Sequence, residues 1–258
     1  MSTFTQPQLK LSAKGAKKPS HTRANMPAFK PAGNSLNKTL YIIHGWTYSV
    51  EPWQTTISLL EKAGVTVKML NVPGLTTPSN RVWTIENYVA WANKHLPSGA
   101  IALGHSNGGR ILLNLCAQNP KKLQKLILLD SAGVYEKSFK RNIFRSLSKI
   151  ASPLKKVPGL AKIVHKLIGA SDYENASTNM KATLQNMLSS DQSLILAKVT
   201  TPTAIIWGED DKITPVRQAH ILKRKLVNST LSIHPNWAHA PYLKDPEGLA
   251  KAILKELK

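Results

Sequence analysis

The chain has 258 residues, 42% of them hydrophobic, which is enough to bury one full core and too apolar for a disordered polymer. Its apolar runs, such as "AIIW" ending at Trp207, fall far short of the roughly 20 residues a membrane-spanning helix needs, so a soluble protein is expected. Thirty-five Lys and Arg against 14 Asp and Glu give a formal charge of +21, which favours anionic partners of any kind. No zinc-ligand spacing, RNA-recognition aromatic signature or helix-turn-helix pattern accompanies that charge, so specific nucleic-acid binding is not expected.

Residues 1–37 carry Lys10, Lys14, Lys17, Lys18, Arg23 and Lys30 with no acid, and read as a basic, loosely ordered arm. The arm has no apolar export segment, and the lone Cys116 has no partner within the chain for a disulfide, so the expected compartment is the cytoplasm. From "KTLYII" onward, strand-like runs alternate with helical ones. Strands are predicted at 39–43, 65–70, 100–104, 125–130, 203–208 and 230–234. Helices are predicted near 52–63, 84–95, from 107, near 215–226 and near 246–257. This alternation implies an α/β fold with a mostly parallel central sheet covered by helices on both faces.

The rhythm breaks at 134–200, before the penultimate strand. There Phe139, Ile143, Leu147 and Ile150 recur at helical spacing, Pro153 and Pro158 interrupt, and "LAKIVHKLIG" resumes an amphipathic pattern. A helical cap over the C-terminal sheet edge is expected, flanked by a core of 38–133 and 201–258.

The stretch "ALGHSNGGRILLNL" supplies G-x-S-x-G, formed by Gly104, Ser106 and Gly108, between an apolar strand and a helix. That context fits a nucleophile elbow, a turn that holds the serine in a strained conformation and needs glycines where side chains would strike the neighbouring strand and helix. A serine hydroxyl needs a base and a group to orient that base. Among eight histidines, His21 is in the arm, His95, His165 and His220 lie in helical runs, and His105 sits on the wrong side of the turn. His44 and His234 end strand-like runs, whereas His239 follows the last strand and precedes the final helix, the place expected of the base. For the acid, Glu209, Asp210 and Asp211 follow the preceding strand and Asp130 is a fourth candidate; Asp211 would give the chain order Ser, Asp, His. The backbone N–H groups of Trp46 and Asn107 are the expected oxyanion donors, with Trp46 also a candidate pocket wall.

Taken together, "HGW", "NVPG", "GHSNGG", "WGEDDKITP" and "NWAHAPYLKDPE" resemble the α/β-hydrolase superfamily over about residues 39–258, and within it the capped esterases and meta-cleavage product hydrolases. The resemblance implies Ser106 as nucleophile, His239 as base, Asp211 as acid and no cofactor or metal; the pattern W-G-x-x-D assigns the acid to Asp211 rather than Asp210. Two departures stand out: "NVPGLTTPS" has Asn71 for an acid and Leu75-Thr76-Thr77 where a second glycine is usual, and the edge hairpin of relatives is only faint. The leading expectation is a serine hydrolase cleaving small-molecule carboxylic esters through an acyl-enzyme. Lactone or carbon–carbon hydrolysis would use the same triad. A different class of reading is a binding module whose basic cap, free of acids from Lys137 to Gly169, holds an acidic carrier protein or an anionic membrane surface.

Overall fold

The computed structural model describes residues 36–136 and 177–258. The N-terminal arm up to residue 35 and the two amphipathic segments expected within 137–176 lie outside the described residues. Six strands form one sheet: β1 (Lys38–Ile43), β2 (Val65–Met69), β3 (Ala100–His105), β4 (Leu123–Leu129), β5 (Thr203–Gly208) and β6 (Ser229–His234). Their order is β2-β1-β3-β4-β5-β6, and every pairing among the described residues is parallel.

The strands form where the sequence offers apolar runs with side chains usable on two faces. Leu40 and Ile42, Ile101 and Leu103, Ile127 and Leu129, and Ala204 and Ile206 all join one core cluster. Their alternates Ile43, Ala102, Leu126 with Leu128, and Ile205 with Trp207 join the cluster on the opposite face. The first face is covered by α1 (Gln54–Lys62) and the C-terminal α7 (Pro246–Leu257), through Ile57, Leu60, Leu249, Ile253 and Leu257. The other is covered by α2 (Ile85–His95), α3 (Asn107–Gln118) and α5 (Arg217–Lys225), through Val89, Ile111, Leu112 and Leu222. Burial on both faces is why a parallel sheet suits this sequence. The interior of α3 is buried all round, and Cys116 within it is an inert packing thiol whose pKa burial pushes up to about 11.

Of the segment expected as a cap, the described part contains α4 (Thr178–Ser190). It packs beside α2 through hydrogen bonds from the Trp83 N–H to Thr183 Oγ1 (2.9 Å) and from Asn186 Nδ2 to the Trp83 carbonyl (3.0 Å). A short helix, α6 (Pro241–Lys244), precedes α7. The chain runs from β1 to β2 on one side and then crosses to β3 on the other. The exits of β1 and β3 therefore diverge, and in such sheets the crevice at the carboxyl ends of diverging strands is where ligands bind.

Candidate active site

Ser106 occupies the turn between β3 and α3 with φ 52° and ψ −118°, a left-handed conformation costing roughly 1–3 kcal/mol for a residue with a Cβ. The neighbouring strand holds it there: the Ser106 N–H donates to the Leu129 carbonyl at 3.1 Å, and the Ala132 N–H to the Ser106 carbonyl at 3.0 Å. The flanking glycines are a steric necessity. A Cβ on Gly104 would stand 2.6 Å from the Gly109 Cα, and one on Gly108 would stand 2.0 Å from the Ile43 carbonyl oxygen.

The structure brings three of the expected residues into one hydrogen-bonded chain. His239, in the loop between β6 and α6, has Nε2 2.9 Å from Ser106 Oγ and Nδ1 2.8 Å from Asp211 Oδ2. A carboxylate only accepts, so Nδ1 carries the proton and Nε2 is the free base facing the hydroxyl. Asp211 is 2% exposed and accepts further hydrogen bonds at Oδ1 from the N–H groups of Ile213 (2.7 Å) and Thr214 (3.0 Å). Burial alone would raise its pKa; the hydrogen bonds from His239, Thr214 and Ile213 outweigh burial and hold the carboxyl below its ordinary value.

Among the described residues none of the other three acids is hydrogen-bonded to His239, although Asp210 lines the same cavity. Glu209 and Asp210 are exposed. Asp130 is fully buried, and its Oδ1 accepts from the Gly208 N–H at 2.8 Å, while Oδ2 meets no partner among the described residues. Burial, reinforced by the charge of Asp211, raises its pKa well above the ordinary 3.8, and its bond to the Gly208 N–H brackets two strand exits.

Three side chains at the site were not singled out as contributors by the sequence reading. Thr214 donates its hydroxyl to Asp211 Oδ2 at 2.6 Å and lies 3.2 Å from His239 Nδ1, so it steers both groups. Its signal is the spacing D-x-x-T, in which a loop aspartate caps the turn that follows it. His105, set aside as a base, is the last residue of β3, and its Nε2 donates to the His239 carbonyl at 2.7 Å. Burial, with a smaller push from His239, lowers its pKa to about 3, so it is a neutral strut. Arg110, one turn into α3, clasps Asp191 with two bonds (2.7 and 2.9 Å) and donates to Asn107 Oδ1 at 2.6 Å. The Asn107 side chain is thus engaged, although only its backbone was expected to matter.

Asn107 opens α3, where the unpaired N–H groups and the helix dipole favour negative charge. Trp46, just past β1, joins the core cluster and also lines a cavity of about 700 Å³. Ser106 and His239 open onto that cavity, with Ile213, Trp237 and Tyr242 supplying apolar wall. The arrangement can deprotonate a hydroxyl and direct it at a carbon bound in an apolar cleft.

A parallel sheet carrying such a serine at a strand-to-helix elbow defines an α/β hydrolase. The family model described as "alpha/beta hydrolase fold" matches residues 38–246, and the chain belongs to that family. Among curated proteins it is similar to the pimeloyl-[acyl-carrier protein] methyl ester esterase of Neisseria meningitidis serogroup C, 26% identical over 83% of this chain and 91% of the relative. Among solved structures it shares its fold with a putative lipase from Acinetobacter baumannii AYE (TM-score 0.66, 22% identity, 87% of this chain and 85% of that one). The 2-hydroxy-6-oxo-6-phenylhexa-2,4-dienoate hydrolase of Rhodococcus sp. strain RHA1 has the same fold (TM-score 0.63, 16% identity, 87% of this chain and 92% of that one). Among the described residues, no helix is long and apolar enough to cross a membrane.

Proposed function

We propose that this protein is a carboxylic ester hydrolase that works through an acyl-enzyme on Ser106. The observation that carries the reading is the unbroken chain from Ser106 Oγ through His239 to the buried Asp211. In the first half-reaction His239 Nε2 takes the hydroxyl proton as Oγ bonds to the ester carbon. The oxyanion lies against the N–H groups of Trp46 and Asn107. Collapse breaks the bond to the alkoxy oxygen, which leaves as an alcohol with the proton from His239. Water then gives a proton to His239 and adds to the acyl carbon, and collapse of that adduct releases the carboxylic acid and returns the proton to Ser106. Asp211 stays ionised and steadies the imidazolium at each stage.

The curated relatives' names support an ester of a carrier-bound acyl chain as the substrate class, and the charge of +21 suits an acidic carrier. The segment 134–200 acts in this reading as the cap that selects the substrate, residues 1–37 as a basic arm, and the cytoplasm as the working compartment. Ser106→Ala is expected to lower turnover of a short p-nitrophenyl ester by on the order of a million-fold, and a fluorophosphonate is expected to label the Ser106 peptide. A variant that kept most of its activity would overturn the assignment. Higher activity on lactones or vinylogous diketones than on esters would move the reading to those substrates.

A further inference from the structure

The loop after β2 departs from the usual pattern at Thr76, and that residue reaches the site through His44. His44 directly follows β1 and is 1% exposed. Its Nδ1 lies 2.8 Å from the Gly45 carbonyl oxygen and its Nε2 lies 2.9 Å from Thr76 Oγ1. A carbonyl oxygen only accepts, so Nδ1 carries the ring proton; Nε2 of the neutral ring is then an acceptor, and the Thr76 hydroxyl donates to it. The same Oγ1 accepts from the Val72 N–H at 2.8 Å, so the hydroxyl is used in both senses. Burial lowers the pKa of His44, which favours this neutral form.

The Gly45 carbonyl and the Trp46 N–H belong to one peptide unit, and the described chain contains no cis peptide bond. In a trans peptide the two groups point in opposite directions, so a hydrogen bond that fixes the carbonyl also aims the N–H. This peptide is pressed against the elbow: a Cβ on Gly45 would stand 3.0 Å from Ser106 Cβ. We propose that Thr76 is a positioning residue for catalysis, acting through His44 and the Gly45 carbonyl to hold the Trp46 N–H toward the oxyanion. A donor contributes most to the transition state when it is aimed before the charge develops, and the relay supplies that aim from a loop hydroxyl. The inference rests on the reading of Ser106 as the nucleophile.

Thr76→Val and Thr76→Gly remove the hydroxyl, and Thr76→Ser keeps it. The first two are expected to lower kcat on a p-nitrophenyl ester by on the order of tenfold with KM changed less than about twofold, and to weaken binding of a trifluoromethyl ketone by the same factor. The ketone reads the oxyanion site because its adduct with serine carries that charge. Thr76→Ser is expected to behave as wild type on both measures. A valine or glycine variant with native far-ultraviolet circular dichroism, unchanged kcat and unchanged ketone affinity would overturn the relay. The glycine variant adds no bulk and carries the test should valine prevent folding. Ser106→Ala assayed alongside separates the two claims: an active alanine variant sinks the hydrolase reading, whereas an inactive one beside fully active Thr76 variants sinks the relay alone.

Discussion

Asp130 at the exit of β4 and Asp211 in the loop after β5 stand in neighbouring regions of one sheet edge, and both are at most 2% exposed. Burial pushes both carboxyls toward the neutral form. Asp130 receives one backbone donor, keeps a second oxygen without a partner among the described residues, and is pushed toward the protonated form. Asp211 receives two backbone N–H groups, the Thr214 hydroxyl and the His239 ring, and stays ionised. The difference teaches that depth does not set the charge of a buried acid; the number of donors aimed at it does. The two states also support one another, since an ionised Asp211 makes a second nearby charge more costly.

The strongest way to break the comparison is to neutralise each acid in turn. Asp211→Asn is expected to cut kcat by about 10⁴-fold, because the amide favours the wrong imidazole tautomer. Asp130→Asn, which copies the neutral form that burial favours, is expected to keep a rate close to wild type; equal losses in steady-state assays would erase the distinction.

A third buried group, His105, extends the contrast to β3. Its folded pKa of about 3 lies below the ordinary 6.5, so the unfolded chain binds a proton that the folded chain refuses between those values. Stability is therefore full above pH 6.5 and falls toward pH 3, by about 1.4 kcal/mol per pH unit from this residue. Urea midpoints at pH 5 and pH 7 are expected to differ less in His105→Phe than in wild type, and identical differences would show that the ring is not held neutral.

The smallest effect is expected from Asp130 itself. Its folded pKa is raised, so it stabilises the fold below its ordinary 3.8 and loses that contribution as pH rises. Relative to wild type, Asp130→Asn should gain stability in urea unfolding between pH 4 and pH 7; a loss over that range would mean the carboxyl is ionised.

Much of this was legible in the sequence. Each predicted strand lies within two residues of an observed one: the inner strands are apolar runs bounded by turn residues, and the edge strand β2 alternates apolar with exposed residues. Ser106 and His239 were legible from their places after strands, but the run Glu209, Asp210, Asp211 gave no physical basis for choosing one acid, and the family pattern supplied it. The supporting side chains were hidden by distance along the chain. Arg110 meets Asp191 across 81 positions, and His105 meets the His239 carbonyl across 134. Thr76 and Thr214 look like ordinary loop hydroxyls until the fold aims them.

Arg110 also ties the start of the nucleophile helix to the residue just after α4, while Glu136, near where the chain leaves the sheet, meets Arg217 at 2.8 Å. The first pair is almost wholly shielded from solvent and the second is half open, so the return point is the firmer anchorage. The clasp of Arg110 reaches directly into the first turn of the helix that presents Ser106, whereas Arg217 opens a different helix, α5, so loosening the first pair would be felt at the serine turn and loosening the second would not.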